Sequence, residues 1–336
     1  MASTDTQRKV RSMKAIQCVE WGEPSKLVLV ELPLPEPGPG QVRIRIAAAG
    51  VNFPDALIVQ KKYQLQPKLP FVPGTEVAGT VDAVGAEVQN LKTGDRVIAL
   101  VGVGGFAEYV CAPAALAVPI PDGVSDEVAA AFTLTYATSH HALFDRGQLK
   151  AGETLLVLGA GGGVGLAAVE LGKVAGARVI AAASSEDKLA AAKKQGADEL
   201  IDYATQDLRE AVKGLTNGNG ADVIYDPVGG PGTEAAVRSL AWRGRLLVVG
   251  FAQGEIPQVA ANLLLLKGAS AVGVFWGEFA RREPKANFAM LTELFKWLAQ
   301  GKLKPHVSRI YALAETPQAL QALLDRAVIG KLVIRP

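Results

Sequence analysis

Along the first third of the chain, apolar and polar residues take turns in short runs. Between Val42 and Ile46, Val42, Ile44 and Ile46 alternate with Arg43 and Arg45, the period of a strand buried on one face. Lys14–Val19 and Leu27–Glu31 are rich in β-branched residues. Further short strands are predicted over Glu76–Val84, Arg96–Ala99 and Phe106–Ala112, punctuated by Gly74, Gly85 and Gly94. Pro33, Pro35, Pro37 and Pro39 with Gly38 and Gly40 form a turn-rich connector. This region reads as an all-β unit, barrel-like or sandwich-like.

The period changes near Ser125–Asp126, where an alanine-rich helix begins. From Gly152 onward continuous apolar strands alternate with helices. The strands are predicted over Leu155–Leu158, Arg178–Ala182, Glu199–Ile201, Val223–Tyr225 and Arg245–Val249, with Ala271–Phe275 as a sixth. Helices are predicted over Val164–Ala175, Glu186–Gln195, Gln206–Leu215, Gly232–Leu240 and Ala286–Gln300. Apolar strands spaced by helices imply an α/β fold with a doubly wound parallel six-stranded sheet covered on both faces.

Composition narrows the function classes. The 35 Lys and Arg residues nearly balance 33 Asp and Glu, without a basic block, so no nucleic-acid partner is expected. Two cysteines, Cys18 and Cys111, make no disulfide framework and fit a reducing, cytoplasmic setting. Met1–Ser12 lacks the apolar core of a signal peptide and is expected to be a disordered extension. The longest uncharged stretches, Thr154–Val169 and Val128–Phe144, fall short of the ~20 apolar residues of a membrane span. Glycine is the outlier, at 36 of 336 residues against a usual share of roughly 7%.

The densest glycines, Gly159-Ala160-Gly161-Gly162-Gly163-Val164-Gly165, lie between a predicted strand and a predicted helix. That is the context of a dinucleotide site: bare backbone admits a pyrophosphate, and the helix N-terminus supplies amide donors. In register the cluster reads Ala160-x-Gly162-x-x-Gly165 rather than G-x-G-x-x-G. An NAD site usually carries an acid at the tip of the second strand. Here the strand ends in Ala183-Ser184-Ser185, with Glu186, Asp187 and Lys188 following in the helix. Small hydroxyls and a lysine suit a ribose 2′-phosphate, which points to NADPH; the same serines also suit a helix N-cap.

Several motifs now gather: Gly50-Val51-Asn52-Phe53-Pro54-Asp55, Pro73-Gly74-Thr75-Glu76-Val77-Ala78-Gly79, Gly94-Asp95-Arg96-Val97, Gly105-Phe106-Ala107-Glu108-Tyr109, the Gly159–Gly165 turn and Gly330-Lys331. Together they resemble the medium-chain dehydrogenase/reductase superfamily, and within it the zinc-free, zeta-crystallin-like NADPH:quinone oxidoreductases, from Met13 to Pro336. The resemblance implies a GroES-like barrel domain over 13–137 and 278–336 and a Rossmann domain over 138–277. It also implies subunit pairing through the edge strand of the nucleotide domain, hence a homodimer. Zinc relatives carry Cys and His where this chain has Asn52 and Thr75, so no metal is expected. Without a Lewis acid, hydride delivery to an already electrophilic quinone or enone is the implied chemistry.

By the same resemblance Asn52, Asp55 and Tyr63 lie at the nicotinamide and acceptor end. Asn52 also fits plain turn chemistry, and Tyr63 a surface position. Thr138 is expected at the nicotinamide or its phosphates, and Tyr203 with Ser184, Ser185 and Lys188 at the 2′-phosphate. Gly250, Phe251, Phe275, Trp276 and Lys331 are further expected cofactor contacts, although core packing explains Phe275 equally well. The alternatives are an enoyl-thioester or alkenal reductase of the same superfamily and a non-catalytic NADPH-binding protein.

Overall fold

The computed structural model describes residues 11–336. The expected extension over residues 1–12 thus lies mostly outside the described residues. Its last two residues correct it: Leu34 donates a backbone hydrogen bond to the Arg11 carbonyl at 2.8 Å, and Ser12 opens the first strand.

Strands β1 (Ser12–Gln17) and β2 (Val28–Pro33) form an antiparallel ribbon. The main N-terminal sheet holds β3 (Gln41–Val51), β4 (Glu76–Val84), β5 (Arg96–Leu100), β6 (Tyr109–Pro113) and β7 (Ala117–Pro119). Helix α1 (Phe53–Val59) fills the β3–β4 crossover, and α2 (Asp126–Ala130) and α3 (Thr133–His140) lead out of the domain. Ile44 and Ile46 of β3 are buried as the alternation requires, and Arg45 is exposed. Arg43 departs from the pattern: it is buried because Asp82 of β4 receives its guanidinium at 2.7 Å and Pro35 of the proline connector accepts a second bond at 3.0 Å. Glu36 lies 3.2 Å away on the same connector.

The second sheet contains β8 (Thr154–Leu158), β9 (Arg178–Ala183), β10 (Glu199–Asp202), β11 (Ala221–Asp226), β12 (Leu240–Val248) and β13 (Ser270–Gly273). Its order, β10-β9-β8-β11-β12-β13, is parallel throughout and doubly wound. Helices α4 (Gly163–Val174), α5 (Glu186–Lys194), α6 (Leu208–Leu215), α7 (Gly232–Arg238) and α8 (Ala261–Lys267) make the crossovers. Alternate residues serve two cores: Leu155, Val157, Val179 and Val223 face one, and Leu156, Leu158, Ile180 and Ile224 face the other. That is why these strands carry unbroken apolar runs.

Helices α9 (Trp276–Arg282) and α10 (Pro284–Ala299) then return the chain to the first domain. Strand β14 (Val307–Ala312), α11 (Thr316–Leu324) and β15 (Lys331–Arg335) complete it, with β15 antiparallel to β3. The finished sheet has seven strands: β14-β15-β3-β4-β5-β7 with β6 also on β3. No helix among the described residues is long and apolar enough to cross a membrane.

One close approach links the first sheet to the helices that lead out of it. A Cβ on Gly50 in β3 would stand 2.0 Å from the Ala130 carbonyl and 3.0 Å from Glu76 Oε2. The bare glycine lets the α2–α3 junction settle on the sheet, where the Leu134 amide donates to Glu76 Oε1 at 3.0 Å. Gly50→Ala is expected to push this junction outward and to lower stability by about 1–3 kcal/mol or more. Thermal melting of the variant reads this directly, and an unchanged melting temperature refutes the role given to Gly50.

Candidate active site

The glycine turn forms as the sequence implies. Gly162 is the N-cap of α4, and the first intrahelical bond is from Leu166 N–H to the Gly162 carbonyl at 2.8 Å. The N–H groups of Gly163, Val164 and Gly165 therefore have no intrahelical acceptor. A Cβ on Gly165 would lie 2.3 Å from the Gly159 carbonyl, so the helix start is pressed against the strand end. A Cβ on Gly161 would strike the Lys188 stem at 2.5 Å, and one on Gly163 the Lys331 stem at 2.9 Å. Gly162 differs: nothing lies nearer than 3.5 Å. The turn is walled by lysine stems on two sides and open at Gly162. Ala160 is fully buried and its N–H is already taken by the Ala182 carbonyl at 3.0 Å, so it shapes the turn without offering a donor.

The serines, Lys188 and Tyr203 meet at the tip of β9. Ser185 caps α5 by position but its side chain makes no capping bond. Lys188 Nζ lies 3.5 Å from Ser184 Oγ and donates to the Arg326 carbonyl at 2.8 Å. Its pKa is lowered by burial and by the Arg326 charge. Burial raises the Tyr203 pKa, opposed by the Ser184 hydroxyl and again by Arg326. Arg326 is thus a fifth member that sequence reasoning missed. It sits between α11 and β15, with its guanidinium donating to the Gln253 carbonyl at 3.2 Å. Over 120 residues separate it from Tyr203, and only the return of the chain through β14 and β15 brings the two together.

A buried ionic cluster gathers at the tip of the Lys331 side chain. Lys331 Nζ donates to the Val51 carbonyl at 2.7 Å and to Asn52 Oδ1. Asn52 Nδ2 donates to Glu76 Oε2 at 3.2 Å, and Asn52 N–H donates to Asp55 Oδ2 at 2.8 Å. Asn52, Asp55, Glu76 and Lys331 are all buried. Both ends of the Asn52 amide are engaged by protein groups, a fixed orientation rather than a loose turn residue. Among the described residues, Asp55 Oδ1 and the Thr75 hydroxyl, also buried, have no hydrogen-bond partner of normal geometry. Burial pushes the Asp55 pKa up to about 7, against the Asn52 amide, the Lys331 charge and the neighbouring Thr75, while Glu76 adds to the rise. Burial raises Glu76 and lowers Lys331 in the same way. The half-buried Tyr63 is raised by burial and by the Asp55 charge, which places it beside this cluster. Glu76 is the second residue the sequence reading passed over as a site member. Its signal was its place in the Pro73–Gly79 motif.

The interdomain helix α3 presents Thr135 and Ser139 to the turn. Ser139 Oγ donates to the Val164 carbonyl at 3.0 Å, and Thr135 Cγ2 would lie 3.2 Å from a Cβ on Gly163. Thr138, half-buried, has no such contact with the turn. Gly250 packs beside Pro227 after β12, and Phe251 leans over Gly229. Phe275 is half-exposed at the start of α9, so core packing, the alternative to a cofactor contact, does not account for it. Trp276 is the buried member of that pair: its indole N–H donates to Asn287 Oδ1 at 2.9 Å, which turns it toward α10. The last link is main-chain: Gly330 N–H donates to the Gly161 carbonyl at 2.8 Å, so the residue preceding β15 is pinned to the glycine turn.

Comparison with known proteins supplies names for this arrangement. Residues 38–122 match the family described as alcohol dehydrogenase GroES-like domain, and residues 163–296 the family described as zinc-binding dehydrogenase. The quinone oxidoreductase-like protein 2 homolog of Nematostella vectensis is 40% identical over 96% of this chain and 89% of its own length. A solved quinone oxidoreductase of Pseudomonas syringae matches with a TM-score of 0.89 at 36% identity, over 96% of this chain and 100% of that one. The Escherichia coli quinone oxidoreductase, solved as its complex with NADPH, matches with a TM-score of 0.90 at 30% identity over the same shares.

The Asp55 carboxyl gives a stability signature. Its unfolded pKa is about 3.9, while in the fold it is about 7. Between these values the folded chain keeps a proton that the unfolded chain releases, so rising pH favours unfolding across that window. Asp55→Asn lacks this proton. Its melting temperature relative to the parent is expected to rise steadily from pH 4 to pH 7 and then level off. A pH-independent difference would show that Asp55 is ionised throughout.

Proposed function

The chain belongs to the medium-chain dehydrogenase/reductase superfamily, alongside its quinone oxidoreductases, and from that premise we propose that it is an NADPH-dependent reductase of quinones or similarly electrophilic enones. One observation carries the reading: an open glycine turn with a cationic, hydroxyl-bearing pocket at one end and a buried, fixed amide–lysine pair at the other. The residues fit NADPH. Gly162 leaves the turn clear for a pyrophosphate, and the N–H groups opening α4 face it with the helix dipole behind them. Ser184, Ser185, Lys188, Tyr203 and Arg326 bring two cations and three hydroxyls to the place of a ribose 2′-phosphate. NADPH, when bound, supplies the hydride.

The chain's own residues hold and orient. Lys331 and Glu76 lock the Asn52 amide between them, so Asn52 keeps a single orientation. We assign Tyr63 to hydrogen-bond the acceptor oxygen at the cleft mouth, with Asp55 behind it as a neighbouring charge whose protonation changes near neutral pH. Water supplies the proton that completes reduction. The reading is metal-free. Its support is the donor set: Asn52 and Thr75 offer an amide and a hydroxyl, and an ammonium group already occupies the Asn52 oxygen. Such a set lacks the imidazole and thiolate ligands that zinc prefers. We place the protein in a reducing, cytoplasmic setting, consistent with its free cysteines.

We further propose a homodimer through β13. That strand is an uncovered sheet edge, and Leu265 and Leu266 of the adjoining α8 are 80% and 72% exposed. An apolar edge of this kind calls for a cover. A light-scattering mass of one subunit at micromolar concentration refutes the dimer.

The activity test is loss of nicotinamide absorbance on adding a quinone, with NADPH preferred over NADH. Turnover of enoyl-CoA substrates with no quinone active would overturn the substrate class. Lys188→Ala and Arg326→Ala are each expected to raise the KM for NADPH about tenfold or more, as the loss of a charge-assisted contact implies, and to leave the KM for NADH nearly unchanged. Equal effects on both cofactors refute the phosphate pocket.

A further inference from the structure

A second cationic site lies at the opposite edge of the nucleotide sheet. The cofactor turn follows the C-terminal end of β8, which runs parallel to β11. The segments just before β11, β12 and β13 therefore collect at the far edge. There Arg209, Lys213, Arg238 and Lys267 surround a cavity of about 180 Å³, floored by Val212 and Leu240 and rimmed by Gly218 and Gly220. A single water needs ~10–15 Å³ of such space, so the cavity has room for a multi-atom ion.

Three of the cations have a local reason to be there. Lys213, Arg238 and Lys267 occupy the last turns of α6, α7 and α8, where a cation complements the helix dipole. Glu234 binds Arg238 at 2.7 Å and Glu210 stands 3.7 Å from Lys213, but neither carboxylate lines the cavity. Arg209 has no such reason. It sits in the first turn of α6, the end where a helix disfavours a cation, and among the described residues it makes no hydrogen bond or ion pair. Its charge instead bears on Lys267, whose pKa burial and Arg209 both lower. Among the described residues Lys267 itself has only the Leu240 carbonyl as a partner. Two cations thus face one cavity without a counter-charge, at a cost that an anion would remove.

We infer that this cavity is an anion site for the phosphate groups of a small phosphorylated metabolite, separate from the cofactor site. Arg209 and Lys267 supply the binding charge, with Lys213 and the outer face of Arg238 as flanking donors. The ring of Trp242 lies about 3.6 Å from the position of a Cβ on Gly268, the residue after Lys267, and is largely solvent-exposed. Its fluorescence therefore reports on the site.

The test is calorimetric titration of the full-length protein with inorganic pyrophosphate and with orthophosphate. A few equivalents of NADPH are present to occupy the glycine turn. Binding of either anion is expected, with a change in Trp242 emission that Trp242→Phe abolishes. Arg209→Glu is expected to weaken binding at least tenfold while KM for NADPH stays unchanged. Lys267→Gln, which keeps a donor for the Leu240 carbonyl, is expected to weaken it as well. Absence of heat at millimolar anion, or equal affinity in the parent and both variants, overturns the site. Failure here leaves the reductase reading intact, and failure of the reductase assay leaves this test intact.

Discussion

The site depends on one ammonium group held out of water. Lys331 carries its charge past the glycine turn and ends on the Asn52 amide oxygen, with Glu76 and Asp55 close by. A buried lysine is costly unless it is paired. Here two carboxylates share the compensation, and burial raises both their pKa values. Each member fixes another: Lys331 sets the Asn52 amide, Asn52 and the Leu134 amide set Glu76, and Glu76 ties β4 to the helix that crosses between the domains. The cluster is therefore the joint between the first sheet and the helix that crosses to the second domain.

That arrangement separates positioning from contact. Asn52 faces its neighbours with every polar atom used, so its value lies in geometry. Tyr63 is half-exposed, and its hydroxyl is not among the bonds that build the cluster. At the other end, the Ser184–Lys188–Tyr203 pocket is finished by Arg326 from the C-terminal segment. That pocket thus requires residues from both domains, whereas the Asn52 cluster joins two distant stretches of the first domain alone.

Local features were the most legible. The parallel sheet could be read because its strands are apolar on both faces, and the glycine turn because strand, turn and helix occur together. Glu76–Val84 was bounded correctly from its residues alone. Features that depend on distant chain were hidden. Arg43 reads as the polar half of an alternating strand, and only the proline connector and Asp82 explain its burial. Trp276 rather than Phe275 packs inward because α9 begins between them and turns the indole toward Asn287. Arg326 has no motif of its own, and β14 and β15 have no marked alternation. These strands are held by pairing with each other and with β3 rather than by a pattern of their own.

The pairing of β15 with β3 also sets an order of assembly. The nucleotide sheet draws on one continuous stretch from Thr154 to Gly273, and every strand it needs has been made before β14 and β15 emerge. The barrel is different: the Val51 carbonyl and the Lys331 ammonium that meet in its cleft are 280 positions apart. During synthesis the older half of the chain must wait with an open edge while the younger half is already able to close. Loop-closure costs of that size slow the final step. The Asn52–Lys331 cluster therefore cannot form until β15 has been made, and removing β15 takes the cluster away while leaving every strand of the nucleotide sheet in the chain.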